Sequence, residues 1–105
     1  MRITKVVGFQ QFTSNTLTGV VSPSTSLLRD SQGVQANAAV FSVGGSTGAI
    51  RWRDDGPVPT TAIGMRLANG LVPYLYQGDI QNVKFIADAV AGNADLNITY
   101  VQAVD

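Results

Sequence analysis

Ala49-Ile-Arg-Trp-Arg-Asp-Asp-Gly-Pro-Val-Pro-Thr60 alternates like a β-strand and then stops abruptly. Successive strand side chains point to opposite faces, so Ile50 and Trp52 share one face and Arg51 and Arg53 the other. Asp55-Gly56-Pro57 ends the run, because Gly accepts backbone angles closed to other residues and Pro lacks the N–H that a ladder needs. A strand that is apolar on one side and closed by a tight turn is the repeating unit of antiparallel β domains.

Working outward, the same unit recurs. Downstream, Thr60 to Leu67 predicts the next strand, and Asn69-Gly70 predicts a type I′ hairpin into Leu71 to Tyr76, where Pro73 marks an edge. Asn82 to Ala87 sets Val83, Phe85 and Ala87 on one face. Gly92-Asn93 then turns the chain into Ala94 to Val104, with Leu96, Ile98 and Tyr100 facing one way and Asn97, Thr99 and Val101 the other; these two segments read as a C-terminal hairpin. Ala87-Asp-Ala-Val-Ala91 has room for a single helical turn. Upstream, Gln35 to Val43 reads as a strand, Gly44-Gly-Ser-Thr-Gly48 as a hairpin connection, and Met1 to Phe9 as another strand. Residues 10 to 33, rich in Ser, Thr, Gln and Asn, predict two short strands around Leu17 to Val21 and Leu27-Leu28, with Pro23 at a turn or edge. The expectation is one all-β domain over 1–105, an antiparallel β-sandwich or jelly-roll-like barrel of about seven to nine short strands. Its N-terminal third, 1–34, is loop-rich.

Composition narrows the function. The 105 residues suffice for one core. Charged residues make up 13% of the chain, about half the usual share, and the formal net charge is zero. So little charge suits a subunit of an assembly better than a freely diffusing monomer. All seven acids are Asp, and the only lysines are Lys5 and Lys84. The lack of Cys and His removes disulfides, thiolate metal sites, an imidazole base and a switch near neutral pH. Met1-Arg-Ile-Thr-Lys-Val-Val-Gly-Phe9 is too short in its apolar run for a signal peptide, and no stretch is long enough to span a bilayer. The expectation is a product made in the cytoplasm that joins a larger particle, with no membrane partner. Zero net charge also argues against a nucleic-acid partner, since such binding draws on many phosphate contacts.

Arg51 and Arg53 project from one strand face about 7 Å apart, suited to carboxylates or phosphates on a partner. The plainer alternative pairs them with Asp54, Asp55, Asp88 or Asp95 in the same subunit. Trp52 reads as core. Tyr74 and Tyr76 on the edge strand are candidate partner contacts beside the two arginines. Together with Phe9, Phe12, Trp52 and Tyr100, they would line a carbohydrate groove if several lay exposed on one sheet. Asp54-Asp55-Gly56 lacks the spaced ligands of a calcium loop and reads as a turn. The glycines of 44–48 have no following Lys or helix to make a phosphate loop. No Ser or Lys has a catalytic spacing, so no catalytic, metal or cofactor residue is expected and the chain reads as a non-enzyme.

Ile50-Arg-Trp-Arg-Asp-Asp-Gly-Pro-Val-Pro-Thr-Thr-Ala-Ile-Gly-Met-Arg-Leu67, followed by Val83-Lys-Phe-Ile86 and Asp95-Leu-Asn-Ile-Thr-Tyr100, resembles a group of small proteins of tailed bacteriophages. Those share an Arg-aromatic-Arg strand, an Asp-Gly-x-x-Pro-Thr turn, a Gly-x-x-Leu segment and a closing Phe-Ile strand. The resemblance covers roughly the C-terminal half. It implies a virion structural protein, in first place a capsid decoration or cement subunit bound to the major capsid protein, with a tail, collar or fibre component as the rival. It also implies a homo-oligomer, a trimer by analogy. A carbohydrate-binding β-sandwich module is the alternative from outside the virion.

Overall fold

A computed structural model of the chain describes residues 2–44, 48–68, 73–88 and 94–104. Its strands are β1 (Arg2–Phe12), β2 (Ala38–Gly44), β3 (Ala49–Arg53), β4 (Met65–Ala68), β5 (Tyr74–Tyr76), β6 (Lys84–Ala87) and β7 (Asp95–Val104). They form two antiparallel sheets, one of four strands in the order β1-β7-β2-β5 and one of three in the order β4-β3-β6. Among the described residues the sheets pack as an open sandwich and do not close into a barrel.

The alternation read from the sequence assigns faces correctly. Ile50, Trp52, Leu67 and Phe85 of the smaller sheet meet Ala39, Phe41, Tyr76, Leu96, Ile98 and Tyr100 of the larger in one buried cluster. At its centre Phe41 lies edge-on to Trp52 (centroids 5.8 Å) and to Phe85 (5.1 Å), and stacks on Tyr76 (5.4 Å). Aromatic pairs at these distances add to their area burial, so the two sheets are clamped where Phe41 sits.

Strand partners differ from expectation. β6 and β7 belong to different sheets, so the anticipated C-terminal hairpin is a crossing between layers. β4 to β5 and β2 to β3 are crossings too, although the turn residues at 44–48 and 69–70 read as hairpins. Of the described strands, only β3 and β4 are both consecutive and hydrogen bonded. The expected turns at Asn69-Gly70 and Gly92-Asn93, and the helical turn beyond Asp88, lie outside the described residues.

The two short strands expected in 10–33 are absent as well. The segment instead forms 3-10 turns at Thr16–Thr18 and Thr25–Leu27, with single bridges Val21 to Phe85 and Arg29 to Gln35. Thr16 Oγ1 donates to the Thr13 carbonyl at 2.8 Å and Thr18 Oγ1 to that of Asn15 at 3.0 Å. Such local bonds compete with a ladder. The turn still buries Leu17 completely. Likewise Thr60 to Leu67 is a strand only from Met65, because Thr60 and Ile63 close a turn on each other (2.9 and 3.3 Å).

Candidate partner-binding face

The outer face of the three-stranded sheet carries the chain's densest charge. With Ile50, Trp52 and Phe85 turned inward, Arg51 and Arg53 of β3 point out. Arg66 of β4 lies directly opposite Arg51, and Lys84 of β6 directly opposite Arg53. Like charges facing each other across a ladder are destabilising, so each pair needs a counter-charge.

Asp88 supplies the first. It follows β6 immediately, its N–H donates to the Ala49 carbonyl at 3.0 Å, and its side chain is only 2% exposed. Its Oδ2 accepts from Arg51 Nε at 2.7 Å and from Arg66 Nε at 3.3 Å. Arg51 Nη1 also donates to the Gly64 carbonyl at 3.0 Å. Gly64 has φ of +139°, and a Cβ there would stand 3.1 Å from the Trp52 carbonyl oxygen, so glycine is required where the turn meets β3. Asp55 supplies the second counter-charge, accepting from Arg53 through both carboxylate oxygens at 2.8 and 2.6 Å. That pairing holds Asp55 below the usual carboxylate range and raises the Arg53 guanidinium. Lys84 Nζ donates to the Gly56 carbonyl at 3.4 Å. The Asp54-Asp55-Gly56 turn is thus latched onto the sheet from two strands.

The neighbouring carboxylate turns the other way. Asp54 Oδ2 accepts from the Tyr76 hydroxyl at 2.9 Å, across the sandwich. The two adjacent carboxylates therefore serve different sheets. A shallow cavity of about 290 Å³ beside the turn is lined by Arg53, Asp54, Asp55, Ile63, Gly64 and Met65. Exposed Ile63 and Met65 give it an apolar wall next to the ion pair.

The four candidate contact residues thus divide. Arg51 and Arg53 do share an outer face, and each has the intramolecular acid foreseen as the plainer alternative. Tyr74 and Tyr76 lie behind them on β5 and pack against the inner ring of Trp52 (5.3 and 5.7 Å). Tyr76 is 4% exposed, so its ring is used within the subunit and only Tyr74, at 41%, can meet a partner. Contrary to the expectation, Tyr76 is not free to contact a partner, because its hydroxyl and ring are both engaged within the subunit. The aromatic groove also dissolves: Trp52, Tyr76 and Tyr100 are core, while exposed Phe9 and Tyr74 stand on β1 and β5, the opposite edges of the larger sheet.

The sequence alone does not mark Arg66 and Lys84 as members of this face. Each flanks an inward apolar residue, Leu67 and Phe85, and that alternation places them outward. Their position beside β3 depends on long-range pairing. On this face four cations meet two carboxylates, Asp55 and Asp88, which leaves it basic and rich in guanidinium donors. No family model, curated protein or solved structure matches the chain.

Proposed function

We propose that this chain is a non-catalytic structural subunit that docks onto an acidic protein surface through the outer face of its smaller sheet. The observation that carries the reading is the gathering of Arg51, Arg53, Arg66 and Lys84, four of the chain's seven basic residues, on three adjacent strands. Asp55 and Asp88 pre-set the guanidinium planes, so less side-chain freedom is lost on docking. Arg66 and Lys84 provide the adaptable charge at the rim, which steers the encounter and fixes orientation.

Taken with the tailed-phage resemblance, the proposed partner is the major capsid protein of an assembled shell and the subunit a decoration or cement protein of the virion. Bridging neighbouring shell subunits would stabilise the shell by linkage, because the ligand binds only the assembled form. Co-sedimentation with capsids lacking the protein tests this. Saturable binding at fixed stoichiometry, with greater heat resistance of the shell, is the expected result. Arg66→Glu with Lys84→Glu abolishes it, and binding weakens as salt rises. No binding to shells, but incorporation into tails or fibres, would replace the decoration role by its rival. Binding that is indifferent to both charge reversals would remove the basic face from the proposal.

A further inference from the structure

We infer that β1 is a self-pairing edge, by which two copies of this chain join antiparallel about a two-fold axis at Val6. β1 is an outer strand of the larger sheet, eleven residues long and bonded only to β7 among the described residues. On its other side no described residue accepts from or donates to its main chain. The Leu27 carbonyl approaches Gly8, Ser24 N–H donates to the Gln10 side chain and Asp30 and Gln32 hold the Lys5 side chain, so these neighbours do not take up the main-chain groups of the edge. Long unpaired edges are templates for another strand, and natural proteins block them with proline, charge or cover. This one has no proline. Of its two charges, Lys5 is bound to Asp30 at 2.5 Å and to Gln32 at 3.1 Å.

The outward side chains indicate what pairs there. Ile3, Val6 and Phe9 are 47%, 60% and 55% exposed. Strict alternation would put residues three apart on opposite faces. Two irregularities, between Ile3 and Lys5 and between Val6 and Gly8, bring all three to the face of Ala103, Val101 and Thr99 instead. The result is an apolar stripe with equal spacing on either side of Val6. It is palindromic: with Val6 opposite Val6, Ile3 meets Phe9 of the second copy. The same register sets Arg2 opposite Gln10 and Lys5 opposite Val7, so no like charges face each other. Sliding by two residues sets Lys5 against Lys5 or Phe9 against Lys5. A slip of three pairs only two of the three stripe residues with one another, so the register centred on Val6 is the one that matches the whole stripe without opposing like charges.

A second copy is therefore the occupant, and pairing extends the sheet to eight strands. The stripe and edge make an interface at the small end of the stable range, so the dimer dissociates in the region of micromolar concentration. The symmetry is two-fold, not the three-fold suggested by resemblance. The basic face of the smaller sheet is not used, so this inference stands or falls apart from shell docking.

Sedimentation velocity of the free protein from about 1 to about 500 µM reads the equilibrium. A monomer–dimer transition is expected; a monomer throughout, or a trimer, overturns the inference. Val6→Lys places two ammonium groups on the axis and is expected to raise the dissociation constant more than about tenfold, with the circular dichroism spectrum unchanged. Arg53→Ala is expected to leave it unaltered. Because the chain has no cysteine, Val6→Cys gives a second readout: mild oxidation is expected to cross-link dimers through that position, whereas Leu75→Cys, exposed on the opposite edge, stays unlinked. Equal cross-linking of both variants, or none of Val6→Cys, overturns the pairing.

Discussion

Arg51 and Asp88 hold each other at 2.7 Å between Nε and Oδ2, with the carboxylate 2% exposed and Arg66 reaching the same oxygen. Asp88 is what allows two arginines to stand opposite each other on β3 and β4. Asp88→Asn keeps the shape but leaves the guanidinium groups without their shared counter-charge, and is expected to cost about 2 kcal/mol in chemical denaturation. Arg51→Ala, which strands a buried carboxylate and frees the Gly64 carbonyl, is expected to destabilise by at least as much. Arg53→Ala, whose partner Asp55 is exposed, should leave the unfolding midpoint nearly unchanged. Equal effects of the two arginine variants would mean that Asp88 does not hold the sheet in this way.

Gly8 lies against the Leu27 carbonyl so closely that a Cβ would stand 2.6 Å from its oxygen. Gly8→Ala forces the β1 strand off the segment beneath it, at an expected cost of about 1–3 kcal/mol. At Gly19 a Cβ meets nothing within 4 Å, and its φ of −120° suits alanine. Gly19→Ala is therefore expected to be neutral or slightly stabilising. Urea midpoints of the two variants compare them directly.

Alkaline pH should destabilise the fold through its buried phenols. Burial, and then the Asp54 carboxylate that accepts its hydrogen bond, push Tyr76 up to about 12; burial raises Tyr100 as well. A folded chain that keeps protons which the unfolded chain loses has its full stability below about pH 10. That stability falls as pH climbs from there toward 12. Tyr76→Phe should flatten this decline, while costing about 1 kcal/mol at neutral pH because Asp54 loses its donor. Melting temperatures from pH 7 to 11 on both proteins give the comparison.

Faces were legible in the sequence and partners were not. Ile50 with Trp52, and Leu96 with Ile98 and Tyr100, could be assigned inward because a period of two is a local property of a strand. Nothing local says that β6 pairs with β3 and β7 lies between β1 and β2. Glycine-rich connections at 44–48 and around 92 serve a crossing between layers as readily as a hairpin. The apolar stripe of β1 was hidden for a related reason: its period of three comes from irregularities in pairing with β7. Arg66 and Lys84 could be read as outward, but their meeting with Arg51 and Arg53 needed the register.

Phe41 contacts Trp52, Tyr74, Tyr76 and Phe85 and is fully buried, so it joins the two sheets through the only tryptophan in the chain. Trp52 fluorescence therefore reports whether the layers are packed. In the folded protein it should emit at short wavelength and shift red in one transition with urea, coincident with loss of the strand signal. Phe41→Ala opens a cavity among the rings and is expected to cost about 3–5 kcal/mol, with red-shifted emission even before unfolding. Refolding followed by the same signal should take milliseconds to seconds, because most strand pairings close long loops before they yield contacts. Blue-shifted, unaltered emission from Phe41→Ala would show that the sheets are held together elsewhere.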